Sequence, residues 1–289
     1  MSSELFECDY LMCRPQYFTV SYKINPWMEP SSNPSNWKQA DRQWRRLHHL
    51  LIRLGGYVNY IDPQPGLPDM VFTANHGLLS QNGSKFVIPF FSHDERAGEE
   101  SHIRRWAEKD PRIKLTMQPS VAYEGAGDSL WYGDTLFCGH GIRSDIRAYH
   151  EIQEFFEIED LVYCTLVDDY FYHLDTCFCP LVGGHAIFYP GAFNKESIGC
   201  MEKAISLHAV PENEAKRFAC NSIVVDNNVI MPEGCPETEE ILRSLDLEVY
   251  PTPMNEYIKA GGACKCCTLQ LWRINGNTDS SSCTESTQC

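Results

Sequence analysis

Paired apolar segments recur along the chain, and each pair flanks a two-residue turn signal. The turn signals are Asn82-Gly83, Gly133-Asp134, Gly183-Gly184 and Asn227-Asn228, and their first residues lie 51, 50 and 44 positions apart. Two apolar segments around such a doublet are typical of a β-hairpin. The pattern therefore predicts four hairpins within a repeat of roughly fifty residues.

Each predicted hairpin is followed by elements of the same kinds. A stretch compatible with a helix comes first, at residues 94–109, 144–158, 195–208 and 237–245. A short apolar strand follows most of these stretches, at residues 113–115, 161–167 and 247–250. The repeating unit is thus hairpin, helix and strand, which is a ββαβ module.

A fifth module requires both ends of the chain. Residues 17–24 alternate as a strand does, residues 57–61 form a short apolar segment, and residues 267–272 form another. Between the first two, a helix is predicted from a cap at Asn36 to a stop at Gly55-Gly56, with Trp37, Ala40, Trp44, Leu47, Leu51 and Leu54 on one face. Pairing of the two ends closes a five-part α/β ring. We predict one domain over residues 1–275 and a disordered tail over residues 276–289.

Polar residues fall at matching places, just before each predicted hairpin turn. They are Asn75, Glu124, Asp128, His173, Asp175, Asn221 and Cys266. In a ring of like modules, equivalent positions meet near the axis, so these side chains are expected to share one pocket. The alternative is that they are ordinary turn formers at the starts of strands.

Composition and charge narrow the function classes. A net charge of −15 argues against nucleic-acid binding, which needs clustered Lys and Arg. No apolar run approaches the 18 residues of a membrane span, and the N-terminus lacks the features of a secretion signal. The 14 cysteines are spread through a long chain without an export signal, so we expect reduced thiols in the cytoplasm. The oligomeric state is not indicated.

The expected pocket combines a thiol, an imidazole and several carboxylates. Cys266 lies between a glycine pair and an apolar strand, beside Lys265, where a thiolate could be displayed. Glu124, Asp128 and Asp175 suit a delocalised cation, because carboxylates pair with planar guanidinium. Arg96 and Arg143 follow hairpins and could bind a carboxylate at the other end of a ligand, although each alone could be a solvated surface residue. The set indicates nucleophilic catalysis on an arginine-like molecule.

Four motifs in order carry a family resemblance. They are residues 66–75 (GLPDMVFTAN), 124–128 (EGAGD), 171–176 (FYHLDT) and 259–269 (KAGGACKCCTL). The chain resembles the guanidino-modifying enzyme superfamily, which includes arginine deiminases, dimethylarginine hydrolases and amidinotransferases. The resemblance covers residues 12–273. It implies a five-bladed α/β propeller (pentein) that works without a metal or an organic cofactor.

The resemblance also implies roles for individual residues. Cys266 would be the nucleophile and His173 the acid and base, with Glu124 and Asp175 as partners of the guanidinium. Asp69 would hold the α-ammonium group of the substrate, and Arg96 and Arg143 its α-carboxylate. Phe72, within the first motif, and Asp128 are also expected to bind substrate.

Asn75 departs from the deiminase pattern, which places aspartate there. Asparagine at this position resembles the narrower arginine dihydrolase branch, as do residues 24–28 (INPWM) and 177–180 (CFCP). Those enzymes convert arginine to ornithine, two ammonia and carbon dioxide. Asn25 is expected to be a second amide in the site.

Several alternatives stay open from the sequence. Deiminase, methylarginine hydrolase and amidinotransferase activities share the same motifs, and a relative could bind arginine without turnover. Cys264 or Cys267 could replace Cys266 as nucleophile. In a non-enzymatic interpretation, five sulfurs form a thiolate zinc site, although their spacing is not the usual C-x-x-C. These are Cys177, Cys179, Cys264, Cys266 and Cys267.

Overall fold

Five three-stranded sheets make up the framework of the protein. The computed structural model describes residues 7–274. The strands of this described range are β1 (Glu7–Cys13), β2 (Tyr57–Ile61), β3 (Leu78–Leu79), β4 (Lys85–Val87), β5 (Leu115–Met117), β6 (Ser129–Tyr132), β7 (Thr135–His140), β8 (Leu161–Thr165), β9 (Phe178–Pro180), β10 (His185–Phe188), β11 (Ser206–Ala209), β12 (Ile223–Val225), β13 (Asn228–Pro232), β14 (Glu248–Thr252) and β15 (Leu269–Ile274).

All five sheets have the same construction. Each contains an antiparallel pair of strands, and the second strand of that pair also pairs in parallel with a third strand. The antiparallel pair is a hairpin in four sheets, whereas in the fifth it joins β15 to β1. The sheets are β3-β4-β5, β6-β7-β8, β9-β10-β11, β12-β13-β14 and β15-β1-β2. A parallel pair needs a crossover connection, which is why a helix separates the second and third strands of every module.

Helices provide these crossovers and a few shorter connections. Those within residues 7–274 are α1 (Trp37–Arg53), α2 (Asp94–Ala97), α3 (Glu100–Lys109), α4 (Ile146–Phe156), α5 (Lys195–Ala204), α6 (Glu212–Ala215), α7 (Pro236–Ser244) and α8 (Asn255–Ile258). In the same range, no helix combines the length and apolar character needed to cross a bilayer.

The predicted helix α1 shows how sequence signals set one element. The Asn36 side chain accepts a hydrogen bond from the backbone N–H of Gln39, and Gly55 takes a φ of +94° just beyond the end. Ala40, Trp44, Leu47 and Leu51 on this face are buried in the core cluster that also contains Tyr10 and Met12 of β1, and Leu54 is partly buried against it. Trp37, which the pattern placed on this face, is 50% exposed, because it begins the first turn beyond the edge of the core.

The ring closes through its two ends, but with a different N-terminal strand from the one predicted. β1 lies between β15 and β2, and Leu11 is paired with Leu269 of β15. Residues 17–24 are not a strand. Their alternation reflects a loop with one buried side, on which the Phe18 ring stacks against Tyr257 with centroids 4.9 Å apart.

Two boundaries in the later modules also differ from the predictions. The helix predicted over residues 195–208 ends at Ala204, and Ser206–Ala209 forms the third strand of that sheet. Neither Gly nor Pro separates the two elements, so the sequence offered no stop signal. In the fourth hairpin, Val225 pairs with Asn228, so the turn is Asp226-Asn227, one residue earlier than predicted. The predicted tail, residues 276–289, lies outside the described residues.

Candidate active site

Short 3-10 turns just before the hairpins carry most of the polar residues that the repeat singled out. Asn75 lies in the turn Thr73–His76, Asp175 lies in Leu174–Thr176, and Glu124 directly precedes Gly125–Gly127. These turns contact one another, which brings separate modules to one place. The pocket they help to form, called the substrate pocket below, is lined by Ile24, Asn25, Met28, Asp69, Phe72, Asn75, Arg96, Arg143, Tyr172, His173, Ala260, Gly261, Gly262 and Cys266.

Cys266 is held from two sides. Its backbone N–H donates to Oδ1 of Asn221 at 3.1 Å, and its carbonyl accepts from the N–H of Ala74. Nδ2 of Asn221 donates to the Cys266 sulfur at 3.1 Å and also to the carbonyl of Asp175. A hydrogen bond to sulfur favours the thiolate, so the Asn221 amide both orients the nucleophile and stabilises its charged form.

The sulfur also faces the carboxylate of Asp175, at 3.4 and 3.6 Å from its two oxygens. Burial raises the pKa of the Cys266 thiol well above its ordinary range, and Asp175 raises it further. Burial likewise raises the pKa of Asp175 to about 7. Burial thus disfavours negative charge here, and a bound cation would favour the ionised forms of both groups.

His173 and Glu124 form the other half of the site. Nε2 of His173 lies 2.7 Å from Oε2 of Glu124, which leaves the ring nitrogen Nδ1 without a hydrogen-bond partner within residues 7–274. The same carboxylate oxygen accepts from Arg143 at 3.0 Å, and the second oxygen accepts from Ser92. Burial opposes the charge of Glu124, but Arg143 and His173 outweigh it and lower the pKa of this carboxyl well below its usual value.

Asn75 is fixed by charged neighbours. Its Oδ1 accepts from Nη1 of Arg96 at 2.8 Å, and its Nδ2 donates to the carbonyl of Glu124 at 3.1 Å. Arg96 in turn makes a bidentate pair with Glu99, at 2.9 and 2.8 Å. A Cβ on Gly127 would clash with Nδ2 of Asn75 and lie 3.5 Å from Cγ of His173, so the amide and the imidazole are neighbours across this glycine.

Asp69 presents an unpaired oxygen. Its Oδ2 accepts from the Tyr22 hydroxyl at 2.9 Å, while the buried Oδ1 has no hydrogen-bond partner among the described residues. Burial raises the pKa of Asp69 to about 6, against the pull of Arg96. An unpaired carboxylate oxygen at the pocket wall is suited to receive a cationic group of a ligand.

Asn25 and the glycine segment before Cys266 form part of the wall of the substrate pocket. Nδ2 of Asn25 donates to the carbonyl of Ala260 at 3.0 Å, and the Tyr172 hydroxyl donates to that of Gly261 at 2.5 Å. A Cβ on Gly262 would lie 2.5 Å from the Phe72 ring and 3.0 Å from Cβ of Cys266. The chain approaches too closely for any side chain at this position.

Eight of the eleven site residues expected from the sequence line the substrate pocket, and Glu124 and Asp175 contact lining residues from behind. Asp128 is placed differently. Its carboxylate accepts from the Ser144 hydroxyl at 2.6 Å and from the N–H of Leu174 at 3.1 Å, so it supports the His173 turn instead of lining the pocket.

Of the three neighbouring cysteines, Cys266 alone lines the pocket within the described chain, while Cys264 and Cys267 are buried elsewhere in the core. Cys177 and Cys179 point at backbone carbonyls. In residues 7–274, no group of three or more His, Cys, Asp or Glu side chains is arranged to hold a metal ion.

Sequence reasoning did not assign roles to two important partners. The repeat placed Asn221 among the residues expected to share the pocket, but its hydrogen bonds to Cys266 were not predicted. Glu99 carried no signal, because an acidic residue beside a short helix is usually solvated, whereas here it is fully buried against Arg96.

Comparison with known proteins agrees with this geometry. A family model described as "N,N dimethylarginine dimethylhydrolase, eukaryotic" matches residues 14–273. The chain belongs to this family. The predicted recognition of a guanidino-modifying enzyme is therefore confirmed, and so is the class of hydrolase at the level of the family.

Named relatives place the chain near the arginine dihydrolase branch. It is 39% identical over 267 residues to the bifunctional arginine dihydrolase/ornithine cyclodeaminase AgrE of Nostoc sp., covering 91% of this chain but only 37% of the relative. It is 35% identical to the dimethylarginine dimethylaminohydrolase of Mycobacterium tuberculosis, covering 91% of this chain and 85% of that protein.

Solved structures confirm the five-bladed α/β propeller. The N-terminal domain of ArgZ, a cyanobacterial arginine dihydrolase bound to product, superimposes with a TM-score of 0.86 at 37% identity, over 92% of this chain and 97% of that one. A variant of the same ArgZ domain, with the same TM-score and identity over 91% of this chain and 97% of that one, is covalently bound to a reaction intermediate.

Proposed function

We propose that this chain hydrolyses arginine through a covalent cysteine intermediate and acts as an arginine dihydrolase, giving ornithine, two ammonia and carbon dioxide. The observation that carries the proposal is the Asn75 amide, which Arg96 holds beside His173 in a pocket whose nucleophile is Cys266. The similarity to AgrE and ArgZ supports it. Because the chain spans 37% of AgrE, only the first of the two activities in the name of that protein is proposed here.

Substrate binding follows from the charges of the pocket. The α-ammonium group pairs with Oδ1 of Asp69, and Arg143 and Arg96 supply positive charge for the α-carboxylate. The guanidinium lies between Asp175 and Cys266, where its positive charge stabilises the carboxylate and lowers the pKa of the thiol. The substrate therefore helps to ionise the group that attacks it.

The first half of the reaction replaces one nitrogen of the guanidinium. Sulfur of Cys266 forms a bond to the guanidinium carbon, and His173 donates a proton to the departing nitrogen, which leaves as ammonia. Water then gives a proton to His173 and attacks the same carbon, and the carbon–sulfur bond breaks to release a citrulline-like species. Glu124 stabilises the imidazolium whenever His173 carries the extra proton.

The second half repeats the attack on the citrulline-like species. Cys266 adds to the ureido carbon, a second ammonia leaves, and water releases a carbamate that breaks down to ornithine and carbon dioxide. A neutral ureido group needs hydrogen-bond donors and acceptors more than charged partners. The amide of Asn75 offers both, whereas aspartate would offer only acceptors.

An end-point assay on arginine tests the proposal directly. Two ammonia per arginine with ornithine support a dihydrolase, and one ammonia with citrulline identifies a deiminase instead. Cys266→Ser should abolish turnover, with Cys267→Ser as the matched control that retains it. Full activity of Cys266→Ser would contradict the proposed nucleophile.

A second candidate is hydrolysis of dimethylarginine. The family model and the Mycobacterium tuberculosis relative favour it. Release of dimethylamine from Nω,Nω-dimethylarginine, faster than release of ammonia from arginine, would select this alternative.

A further inference from the structure

A second cavity lies behind the active-site cysteine. Its volume is about 320 Å³, and each of the five sheets contributes at least one strand to its wall. Representative lining residues are Tyr10, Leu79, Trp131, Cys179, Val224 and Gln270. We call it the axial cavity. Within the described chain, no residue lines both this cavity and the substrate pocket.

Lys265 and Cys266 separate the two spaces. Lys265 lines the axial cavity, whereas its sequence neighbour Cys266 lines the substrate pocket. The mouth of the axial cavity lies at the far ends of the hairpins, where Gln81, Gly133 and Asp134 are exposed. Lys265, which is partly buried, therefore lies at the inner end of the axial cavity.

The ammonium of Lys265 makes no hydrogen bond to any residue in the range 7–274, whereas other polar groups of the wall are engaged. The Ser80 hydroxyl donates to Asn82, that of Ser222 donates to the Ala219 carbonyl, and the Gln81 amide donates to the Gly133 carbonyl. Lys265 is thus the donor that the cavity leaves available to a ligand.

We propose that the axial cavity binds a small organic monocarboxylate, with its carboxylate on Lys265 and its carbon chain against the apolar side chains of the wall. The volume accommodates a ligand of several carbon atoms, and Leu78, Leu130 and Phe178 are among the apolar residues that line it. A single available cation matches one carboxylate better than two. Asp134 at the mouth favours a ligand whose distal end is uncharged.

The charges around Lys265 connect this site to the substrate pocket. Burial lowers the pKa of the Lys265 ammonium, against Asp175, Cys179 and Cys266, which raise it. Lys265 in turn lowers the pKa of Asp175, the carboxyl that faces the nucleophile. A carboxylate bound to Lys265 would stabilise the protonated ammonium of Lys265. It would also offset the lowering of the Asp175 pKa by that ammonium.

Calorimetric titration of the full chain with sodium hexanoate tests the proposal, with hexan-1-ol as the uncharged probe of the same length. We expect saturable binding of hexanoate and binding of the alcohol that is weaker by about tenfold or more, because the charge-assisted hydrogen bond is lost. Lys265→Met should weaken hexanoate by a similar factor, and Lys265→Arg should retain it. Lys259→Met, the same change at a lysine paired with Glu256 outside the cavity, should have no effect on hexanoate.

The substrate pocket also contains arginines that could attract hexanoate, so its location must be tested separately. Hexanoate should still bind Cys266→Ser that is saturated with arginine, and loss of binding there would overturn the proposal. Absence of binding to the unmodified chain, or equal binding to Lys265→Met, would overturn it as well. The comparison of Lys265 variants measures hexanoate binding whether or not arginine is a substrate. A failure of this proposal can therefore be distinguished from a failure of the proposed function.

Discussion

Nδ2 of Asn221 lies 3.1 Å from Sγ of Cys266, while Oδ1 of the same side chain accepts from the backbone N–H of Cys266. One amide from the fourth module therefore fixes both the position of the nucleophile and the hydrogen bond to its sulfur. We expect Asn221→Ala to reduce kcat/KM by about 10- to 100-fold, as for loss of a hydrogen bond to a charged group. The pKa of the Cys266 thiol should rise.

The measurement is the pH dependence of Cys266 alkylation by iodoacetamide, followed by peptide mass mapping because Cys200 is exposed. Asn228→Ala is the matched control, since that amide donates to the Val225 carbonyl in a hairpin turn. An alkylation profile of Asn221→Ala that coincides with that of the unmodified chain would contradict the assigned role.

Glu99 is expected to be a major determinant of stability. It is fully buried and makes the bidentate pair with Arg96, so Glu99→Gln leaves a buried guanidinium without its counter-charge. We expect a loss of about 3–5 kcal/mol in the free energy of unfolding, measured by urea denaturation. Glu239→Gln, which breaks a half-exposed pair with Arg243, should cost less than about 1 kcal/mol. Equal effects of the two substitutions would refute the prediction.

Asp175 should make stability depend on pH. Its pKa in the folded protein is raised to about 7 from 3.8, so its ionisation destabilises the fold. The stability that its protonated form contributes is complete below pH 3.8 and is lost as the pH rises through 7. Relative to the unmodified chain, Asp175→Asn should become progressively more stable between pH 4 and 7, by on the order of 4 kcal/mol in total. Parallel stability curves over this window would show that the carboxyl titrates normally.

The repeat allowed much of this architecture to be predicted from the sequence. A turn doublet such as Gly133-Asp134 is set by the residues of the turn itself, so these doublets predicted the positions of the hairpin turns to within one residue. β1 was missed because Tyr10, Leu11, Met12 and Cys13 are all buried, and a strand covered on both faces shows no alternation. Conversely, residues 17–24 alternate because they pack one side of a loop on the core.

The site shows the same division between local and long-range information. The repeat indicated that Asn75, Glu124, His173 and Asp175 would be near one another, since equivalent positions of like modules share surroundings. It could not indicate which partner each side chain selects. The carboxylate of Asp128 accepts from the Leu174 N–H, and Arg96 is paired with Glu99, because most buried charges and backbone donors find a partner. These partners lie far away or in another turn, so the repeat does not indicate them.

Asp69 is expected to act on substrate affinity. Its Oδ1 has no partner within the described chain, so Asp69→Asn removes the charge that would pair with the α-ammonium group. We expect the KM for arginine to rise by about tenfold or more, with a smaller change in kcat, because the lost contact is remote from the reacting carbon. Steady-state kinetics at pH 8 measure this, with 5-guanidinopentanoate, which retains the guanidinium and the carboxylate but lacks the α-amino group, as a probe that should be less sensitive to the substitution. An unchanged KM would place the ammonium group elsewhere.

Asn75→Asp tests whether the amide sets the number of ammonia molecules released. Aspartate keeps the size of the side chain and can still accept from Arg96, but it loses the Nδ2 donor to the Glu124 carbonyl and adds a negative charge beside His173. A charged acceptor favours cationic arginine over a neutral ureido intermediate, so citrulline should be released before the second attack. We expect the ratio of citrulline to ornithine to rise by about tenfold or more, measured by chromatography of a completed reaction together with the ammonia yield. Asn25→Asp is the matched control at the second amide of the pocket, and an unchanged product ratio in Asn75→Asp would show that the second hydrolysis is determined by another group.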